Sequence, residues 1–285
     1  MPVSPEQMKA LHKYDLNVLY AIERLMQRYA WVPFDILKGA TRLSESELTY
    51  RLGRLIEWNL VRYDAVPYPG YALIFGGYDT IALQTLIKKG SVSALGPLIG
   101  VGKESEVYGA LGLGPVVLKF HHIGQRSFQT ARKERGYMPE GGHCPWIFAS
   151  ARSAEREFEA LTLLSPEVSV PVPVDRSRHV VVMSEVQGVN LNRCILEDPR
   201  AVLDEVLENV RTAYAKGVIH ADLSEYNIMH DGEKVWLIDW PQWIETAHPN
   251  AGAILRRDIE NVLKYFKKKY RIDYPTEEAV GVVVG

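Results

Sequence analysis

The sequence predicts an α+β protein: a small helical domain closed by a hairpin, followed by a larger mixed domain of two lobes. Three observations predict it. Apolar residues recur at helical spacing over the first quarter of the chain and then give way to a short alternating hairpin. A glycine-bounded turn near residue 100 lies between strand-like stretches, and two apolar strands flank an Asp-Gly turn within residues 219–239. The chain has 285 residues, 47% hydrophobic and 24% charged, which fits a globular protein whose core needs no staples. A formal net charge of −2 gives no global field for a polyanion or an anionic membrane. Cys144 and Cys194 are the only cysteines, too few for a disulfide framework or a cysteine zinc cage, so a reducing, cytoplasmic setting is expected. The N-terminal residues lack a basic region followed by an apolar core, and no apolar run is long enough to span a bilayer. No targeting segment and no membrane partner are expected.

Each N-terminal element has its own signal. Met8, Leu11, Leu16, Leu19, Tyr20, Ile22, Leu25 and Met26 place one apolar stripe on each of two helices. Pro33 opens a short third helix through Leu37, and Gly39 closes it. Ser44 followed by Glu47 reads as a capping box starting a helix through Leu48, Leu52, Leu55 and Ile56. Leu60 to Arg62, a turn at Pro67 to Gly70 and a strand from Tyr71 to Phe75 complete a hairpin. This order, over residues 1–90, is that of a winged helix-turn-helix, with a linker helix from Asp79 to Lys89 ended by Gly90. Arg51 and Arg54, on the helix at 45–58, are candidate nucleic-acid phosphate contacts. Glu45, Glu47 and Glu57 share that helix and the segment is only slightly basic, so nucleic-acid and protein docking both stay open.

The larger domain carries the chemistry. In Gly100 to Tyr108 a Gly-x-Gly turn lets backbone amides approach phosphate oxygens with no Cβ in the way. Ser105 stands where a dinucleotide fingerprint has its third glycine, and the Gly-Lys-Ser/Thr ending of a Walker loop is missing. Lys119 lies on the strand Val116 to Phe120; a surface lysine is the plain reading, and a phosphate ligand the functional one. On the helix Ser150 to Leu164, Glu157 falls in line with Ala160, Leu161 and Leu164, so the acid wants a partner, and Lys119 is a natural one. In Ile219 to Asn227, followed by the hairpin Ile228 to Asp239, Asn227 and Asp239 fall near one open end. There an amide oxygen and a carboxylate suit a hard cation such as Mg²⁺. Asp222 is placed to face an incoming nucleophile, and His220 to bond the loop backbone. Turn-forming Asp and Asn residues are the competing account; the order of loop, Lys, Glu, His-x-Asp-x₄-Asn and Asp reproduces the phosphoryl-transfer template.

Gly102-Lys103-Glu104-Ser105, Lys119, the loop from His220 to Asn227 and Ile238-Asp239 followed by Trp240-Pro241 resemble an atypical protein kinase of the RIO type. The branch is the one with an N-terminal winged helix, and the resemblance covers nearly all of the chain. It implies a compact two-lobed protein-kinase-like domain, with an N-lobe over 91–186 and a reduced C-lobe over 187–285. It implies ATP and Mg²⁺ (or Mn²⁺) as cofactors. Gly100 to Val107, with Gly102, Lys103 and Glu104, would cover the triphosphate, Ser105 reaching phosphate oxygens. Lys119, held by Glu157, would contact phosphate; Asp222 would be the catalytic aspartate; Asn227 and Asp239 would hold metal. Val180 to Val186 resembles the hinge, with Met183 as gatekeeper and Glu185 between the Ser184 carbonyl and Val186 amide that bond adenine. Met229 and Ile238 would line the floor. The implied partner is the precursor of the small ribosomal subunit, through protein or rRNA, bound by a monomer and released by ATP turnover, with Asp239 accepting phosphate as an acyl phosphate.

Two departures from ordinary protein kinases bear on output. Trp-Pro replaces Phe-Gly after Asp239, and the chain from there to Gly285 leaves no room for an activation segment plus a helical peptide platform. This counts against peptide phosphorylation, while ATP hydrolysis and protein phosphorylation both stay open as the output, and the short C-terminal part is archaeal-like. A flexible loop at about 121–145 would carry Ser127 as an autophosphorylation site, against a plain solvated insertion. The helix Asp258 to Arg271 ends in lysines, which suit its dipole or a ribosomal-RNA contact. A small-molecule phosphotransferase of the aminoglycoside or choline kinase kind shares Ile238-Asp239-Trp240 but needs a long helical insertion. A nucleotide-sensing regulator without turnover is a third reading, against which Lys119, Asp222 and Asp239 stand.

Overall fold

The computed structural model describes residues 5–124 and 146–285. Ser127 and Cys144, and most of the loop expected at 121–145, lie outside the described residues. Among the described residues no helix is long and apolar enough to cross a membrane.

The first helices are α1 (Pro5–Ala10), α2 (Lys13–Leu25), α3 (Phe34–Thr41) and α4 (Glu45–Glu57), followed by the antiparallel pair β1 (Val61–Asp64) and β2 (Gly70–Leu73) and by α5 (Phe75–Lys89). Leu19, Ile22, Leu37, Leu48, Leu52, Leu55 and Leu73 are fully buried and form the core that these elements share. The expected stop at Gly39 is not where α3 ends. The helix runs on to Thr41 and closes at Arg42 in the left-handed region, φ 57°, because the Asn17 amide of α2 donates to the Thr41 carbonyl at 3.0 Å. Ser44 accepts the Glu47 N–H at 3.3 Å, but the Glu47 carboxylate turns to Arg51 Nε at 2.7 Å, so only half of the expected box forms. The reciprocal box sits at His12 and Asp15 instead. Helix α5 starts at Phe75, the residue expected to end a strand. It does so because Gly76 and Gly77 meet the backbone of Asn59 and Leu60; a Cβ at Gly77 would stand 2.2 Å from the Leu60 carbonyl oxygen.

Arg51 and Arg54 converge on one acid of α2. Asp15 is fully buried and takes Arg51 on one oxygen and Arg54 on the other, each at 3.4 Å. Arg54 also donates to the Ala10 carbonyl at 2.6 Å and lies over the Trp58 ring at 4.1 Å. A buried carboxylate demands such partners, and the two guanidiniums are committed to it.

Next come β3 (Ala94–Val101), β4 (Ser105–Leu111) and β5 (Pro115–His121), an antiparallel meander. They belong to a five-stranded sheet ordered β3-β4-β5-β7-β6, with β6 at Pro173–Ser177 and β7 at Val180–Ser184. Contacts divide the chain into one unit of Met1–Ala154 with Asp175–Val180, and another of Glu155–Val174 with Val181–Gly285. Neither residue 90 nor residue 186 is a seam of this division. Inside the first unit the helices and the β6–β7 turn are joined by ions. Arg178 binds both Glu23 oxygens at 2.5 and 2.9 Å and the Thr85 hydroxyl at 2.9 Å, and Lys89 meets Asp175 at 2.8 Å.

The helix α6 (Trp146–Leu164) crosses from the first unit into the second. The second unit holds β8 (Val189–Asn190), α7 (Pro199–Ala215), β9 (Val218–Ile219), β10 (Ile228–His230), β11 (Val235–Leu237), β12 (Ile244–Glu245), α8 (Ala251–Tyr270) and α9 (Thr276–Val284). Its sheets are β11-β10-β8 and β12-β9, and α7, α8 and α9 pack on one another through Leu203, Val206, Leu255, Ile259 and Phe266. The Asp198 carboxylate caps α7, with Pro199 in its first turn. Helix α8 starts seven residues before the amphipathic stretch read from the sequence.

Asp15→Ala should destabilise the protein by about 3 kcal/mol, since it strands two guanidiniums around a dry site and removes the cap of α2. Urea unfolding checks this; a loss below about 1 kcal/mol would show that Asp15 does not hold them.

Candidate active site

In the first unit the phosphate-loop residues occupy the β3–β4 turn. The Gly102 N–H donates to the Ser105 carbonyl at 2.8 Å, and a Cβ on Gly102 would stand 2.9 Å from Ser105 Oγ. The Ser105 hydroxyl would have to turn aside for that Cβ, whereas a Cβ on Gly100 would meet only Val107 at 3.8 Å. The turn is tied to the third strand by the His122 N–H, which donates to the Glu104 carbonyl at 2.8 Å. Lys119 pairs with Val107 in the ladder and is buried, at 7% exposure, so the surface-lysine reading does not hold.

In the second unit Glu157 is buried on α6, and its Oε1 accepts the Trp240 N–H at 3.4 Å. The adjacent Arg156 donates to the Pro241 carbonyl at 3.2 Å and to that of Trp243, and Trp243 Nε1 returns a bond to the Arg156 carbonyl at 2.8 Å. Two successive side chains of one helix therefore hold the segment that follows Asp239.

The loop between β9 and β10 is organised by its own polar groups. His220 is 4% exposed; its Nε2 bonds the Ile238 carbonyl at 3.0 Å and its Nδ1 accepts the Asp222 N–H at 3.3 Å, the structural role read from the sequence. Asn227 Nδ2 donates to the Asp222 carbonyl at 2.8 Å, and the Asn227 carbonyl accepts the Ile238 N–H at 3.0 Å. Asn227 is thus bonded to Asp222 on one side and to Ile238, the neighbour of Asp239, on the other. With Nδ2 spent on Asp222, the Asn227 amide has its oxygen left for a cation, and with the Asp239 carboxylate it supplies the oxygen donors that Mg²⁺ prefers. Ala221 and Asp239 both take left-handed backbone, φ 64° and 67°, strain of the kind that persists where surrounding bonds over-determine it.

Those bonds come from α8. Asp258, 1% exposed, accepts the Ala221 N–H at 2.7 Å and the Leu223 N–H, gripping the backbone on both sides of Asp222. Burial pushes its carboxyl up to about 6, against the pull of Arg257 and the two amides. Arg257 donates to the Ala221 carbonyl, and Asn261 to that of Leu223 at 3.3 Å. The sequence signal was present: Asp258 lies on the apolar stripe of Leu255, Ile259 and Val262.

The hinge residues follow the same unit. Met183 is buried, at 5% exposure, after the fully buried Val180 to Val182. Ser184 is fixed by Val172, whose carbonyl takes the Ser184 N–H at 2.9 Å and whose N–H reaches Ser184 Oγ at 2.8 Å. The Val186 carbonyl accepts the Gly188 N–H at 3.0 Å, with Glu185 between them. Met229 pairs with Trp236 and Asn190, and Ile238 follows β11.

Family comparison adds to this geometry. The RIO domain model matches residues 103–279, and the model of the Rio2 N-terminal domain matches residues 8–89. The chain belongs to the RIO kinase family, in its Rio2 branch. It is an enzyme of the ATP-dependent phosphotransferase class. A RIO-type serine/threonine-protein kinase Rio2 of Methanocaldococcus jannaschii is 40% identical over 263 residues, covering 89% of this chain and 96% of that one. The Rio2 kinase of Dictyostelium discoideum is 32% identical over 95% of this chain, which spans about half, 53%, of that relative. A solved structure of the Chaetomium thermophilum Rio2 kinase, in an ADP/Mg²⁺-phosphoaspartate complex, has a TM-score of 0.83 and 28% identity over 99% of this chain and 89% of its own. The family sets aside the small-molecule phosphotransferase reading.

The folded-state carboxyl of Asp258 titrates above its ordinary value, so its ionisation above about pH 6 opposes folding, and stability from this group grows as pH falls from about 6 to about 4. In Asp258→Asn that growth should vanish. Urea unfolding of both proteins at about pH 4.5 and about pH 7 checks it; identical pH dependence would refute the buried acid.

Proposed function

We propose that this chain binds ATP with Mg²⁺ (or Mn²⁺) and turns it over as a RIO-type ATPase and kinase through an aspartyl phosphate on Asp239. The bonds that tie Asn227 to Asp222 and to Ile238, next to Asp239, carry the reading, because they present a carboxylate for the nucleophile's proton, an amide oxygen and a second carboxylate from one bonded stretch of backbone. Supporting it, the Chaetomium relative forms an ADP/Mg²⁺-phosphoaspartate complex.

Asn227 and Asp239 would hold the metal, which when bound neutralises phosphate charge. Gly100, Gly102, Lys103, Glu104, Ser105 and Val107 serve the triphosphate, and the buried Lys119 supplies a fixed cation for it. Met183, Ser184, Glu185, Val186, Met229 and Ile238 serve adenine, and Glu157 keeps the Trp240 end of the Asp239 segment in place. A carboxylate oxygen of Asp239 bonds the γ-phosphorus as the bond to the bridging oxygen breaks and ADP leaves. Water then cleaves the acyl phosphate, giving its proton to Asp222, so one hard displacement becomes two easier ones. The biological reading is release of a monomeric maturation factor from the precursor of the small ribosomal subunit in the cytoplasm. The RIO resemblance supports it, and the small number of cysteines suits a reducing compartment.

Lys119→Ala should lower turnover at least about 100-fold, whereas Asp222→Asn should keep ATP affinity within about twofold and lower turnover by about 10² or more. Steady-state hydrolysis and ATP titration separate the two, and wild-type turnover in either variant would refute its assignment.

Protein trapped after one turnover of γ-labelled ATP should carry label that hydroxylamine removes and that Asp239→Asn lacks. Label resisting hydroxylamine, as a phosphoserine at Ser127 would, returns Asp239 to metal binding alone. Stimulation of phosphate release by small-subunit precursors tests the partner.

A further inference from the structure

We propose that Asp79, His122 and His179 form a site for a borderline divalent cation of the Zn²⁺ class, separate from the residues assigned to ATP and Mg²⁺. The three come from different elements of the first unit: α5, the segment after β5, and the turn between β6 and β7. Asp79 Oδ1 stands 3.0 Å from His122 Nε2 and 2.7 Å from His179 Nε2. All three ligand atoms lie within 4.8 Å of one another. Zn²⁺ bound at about 2.0–2.1 Å asks tetrahedral ligand atoms to stand about 3.3 Å apart, which small side-chain rotations supply.

Chemistry and burial both point to a cation. Asp79 is 2% exposed and His179 fully buried, and Nδ1 of His179 is buried without a hydrogen-bond partner among the described residues. Without a cation, Nε2–H of His179 donates to Asp79 at 2.7 Å; no neighbour fixes the proton of the imidazole on the other side, so it can reside on Nδ1 when a cation takes Nε2. Burial holds His179 neutral, its titration pushed down to about 4, while the imidazoles keep the Asp79 carboxyl below its usual range despite its burial. A buried carboxylate therefore faces a neutral imidazole, an arrangement a cation completes. Tyr78 stacks on His179 at 4.3 Å, Phe75 lies 4.5 Å from His122, and Phe120 lies 6.0 Å from both histidines. Such apolar walls strengthen an ionic bond. Two imidazoles and one carboxylate suit Zn²⁺, whereas Mg²⁺ favours oxygen throughout. With a water in the fourth position the ion would clamp α5 to the strand that bears Lys119.

The test uses the full chain carrying Asp239→Asn, stripped of metal by a chelator, with Co²⁺ as the probe. One equivalent should bind with the intense visible absorption of a tetrahedral site. Zn²⁺ should displace it, millimolar Mg²⁺ should not, and the unfolding midpoint should rise by several degrees. Adding His122→Gln, at a partly exposed position, should abolish the band. Absence of the band, or its survival in the His122→Gln protein, overturns the site. Should that variant not fold, the ¹⁵N resonances of the His122 and His179 rings in the Asp239→Asn protein decide: displacement of both on adding Zn²⁺ upholds the site, and unmoved resonances overturn it.

Discussion

The buried Asp258 carboxylate sets the backbone on which the assigned catalytic residues stand. A left-handed alanine costs roughly 1–2 kcal/mol, and Ala221 keeps that conformation because Asp258 takes its N–H and that of Leu223. Asp222, between them, has its own N–H taken by His220. The same imidazole bonds the Ile238 carbonyl, so the loop and the hairpin end at Asp239 share one fixed frame. Removing either buried member, His220 or Asp258, leaves the loop backbone without the bonds that hold it.

Much of this was legible from residue order. An alternating apolar strand exposed Lys119, helical periodicity put Glu157 in line with the core, and the His-x-Asp-x₄-Asn loop ahead of a hairpin marked Asp222, Asn227 and Asp239. These signals are local, each contained in one element or one turn. Asp258 was visible as an acid on an apolar stripe, but its partners lie 37 residues away at Ala221, and no local pattern names them. Arg156 gave no signal, since its value lies in reaching the carbonyls of Pro241 and Trp243.

The arginines of α4 show what such local reasoning leaves out. Arg51 and Arg54 on a helix of winged-helix order look like phosphate ligands when only their own helix is considered. Asp15, 36 residues before Arg51, is the missing term: a carboxylate fully buried in a chain that is otherwise unremarkable in charge. Burial of an acid is decided by tertiary packing, which periodicity reports only for apolar residues. The misplaced end of α3 has the same origin, a side chain from α2 overriding the local glycine.

The ion pairs that Arg178 and Asp175 make with Glu23 and Lys89 bear on how such a protein can be assembled in evolution. A module that is copied, exchanged or lost by recombination must leave both fragments with satisfied surfaces. Cutting after the linker helix would strand the Arg178 guanidinium in the turn between β6 and β7 and the Asp175 carboxylate in β6, and would take away the acid that His122 and His179 share. The helical segment therefore carries the partners that the edge of this sheet needs, even though its sequence reads as a freestanding domain.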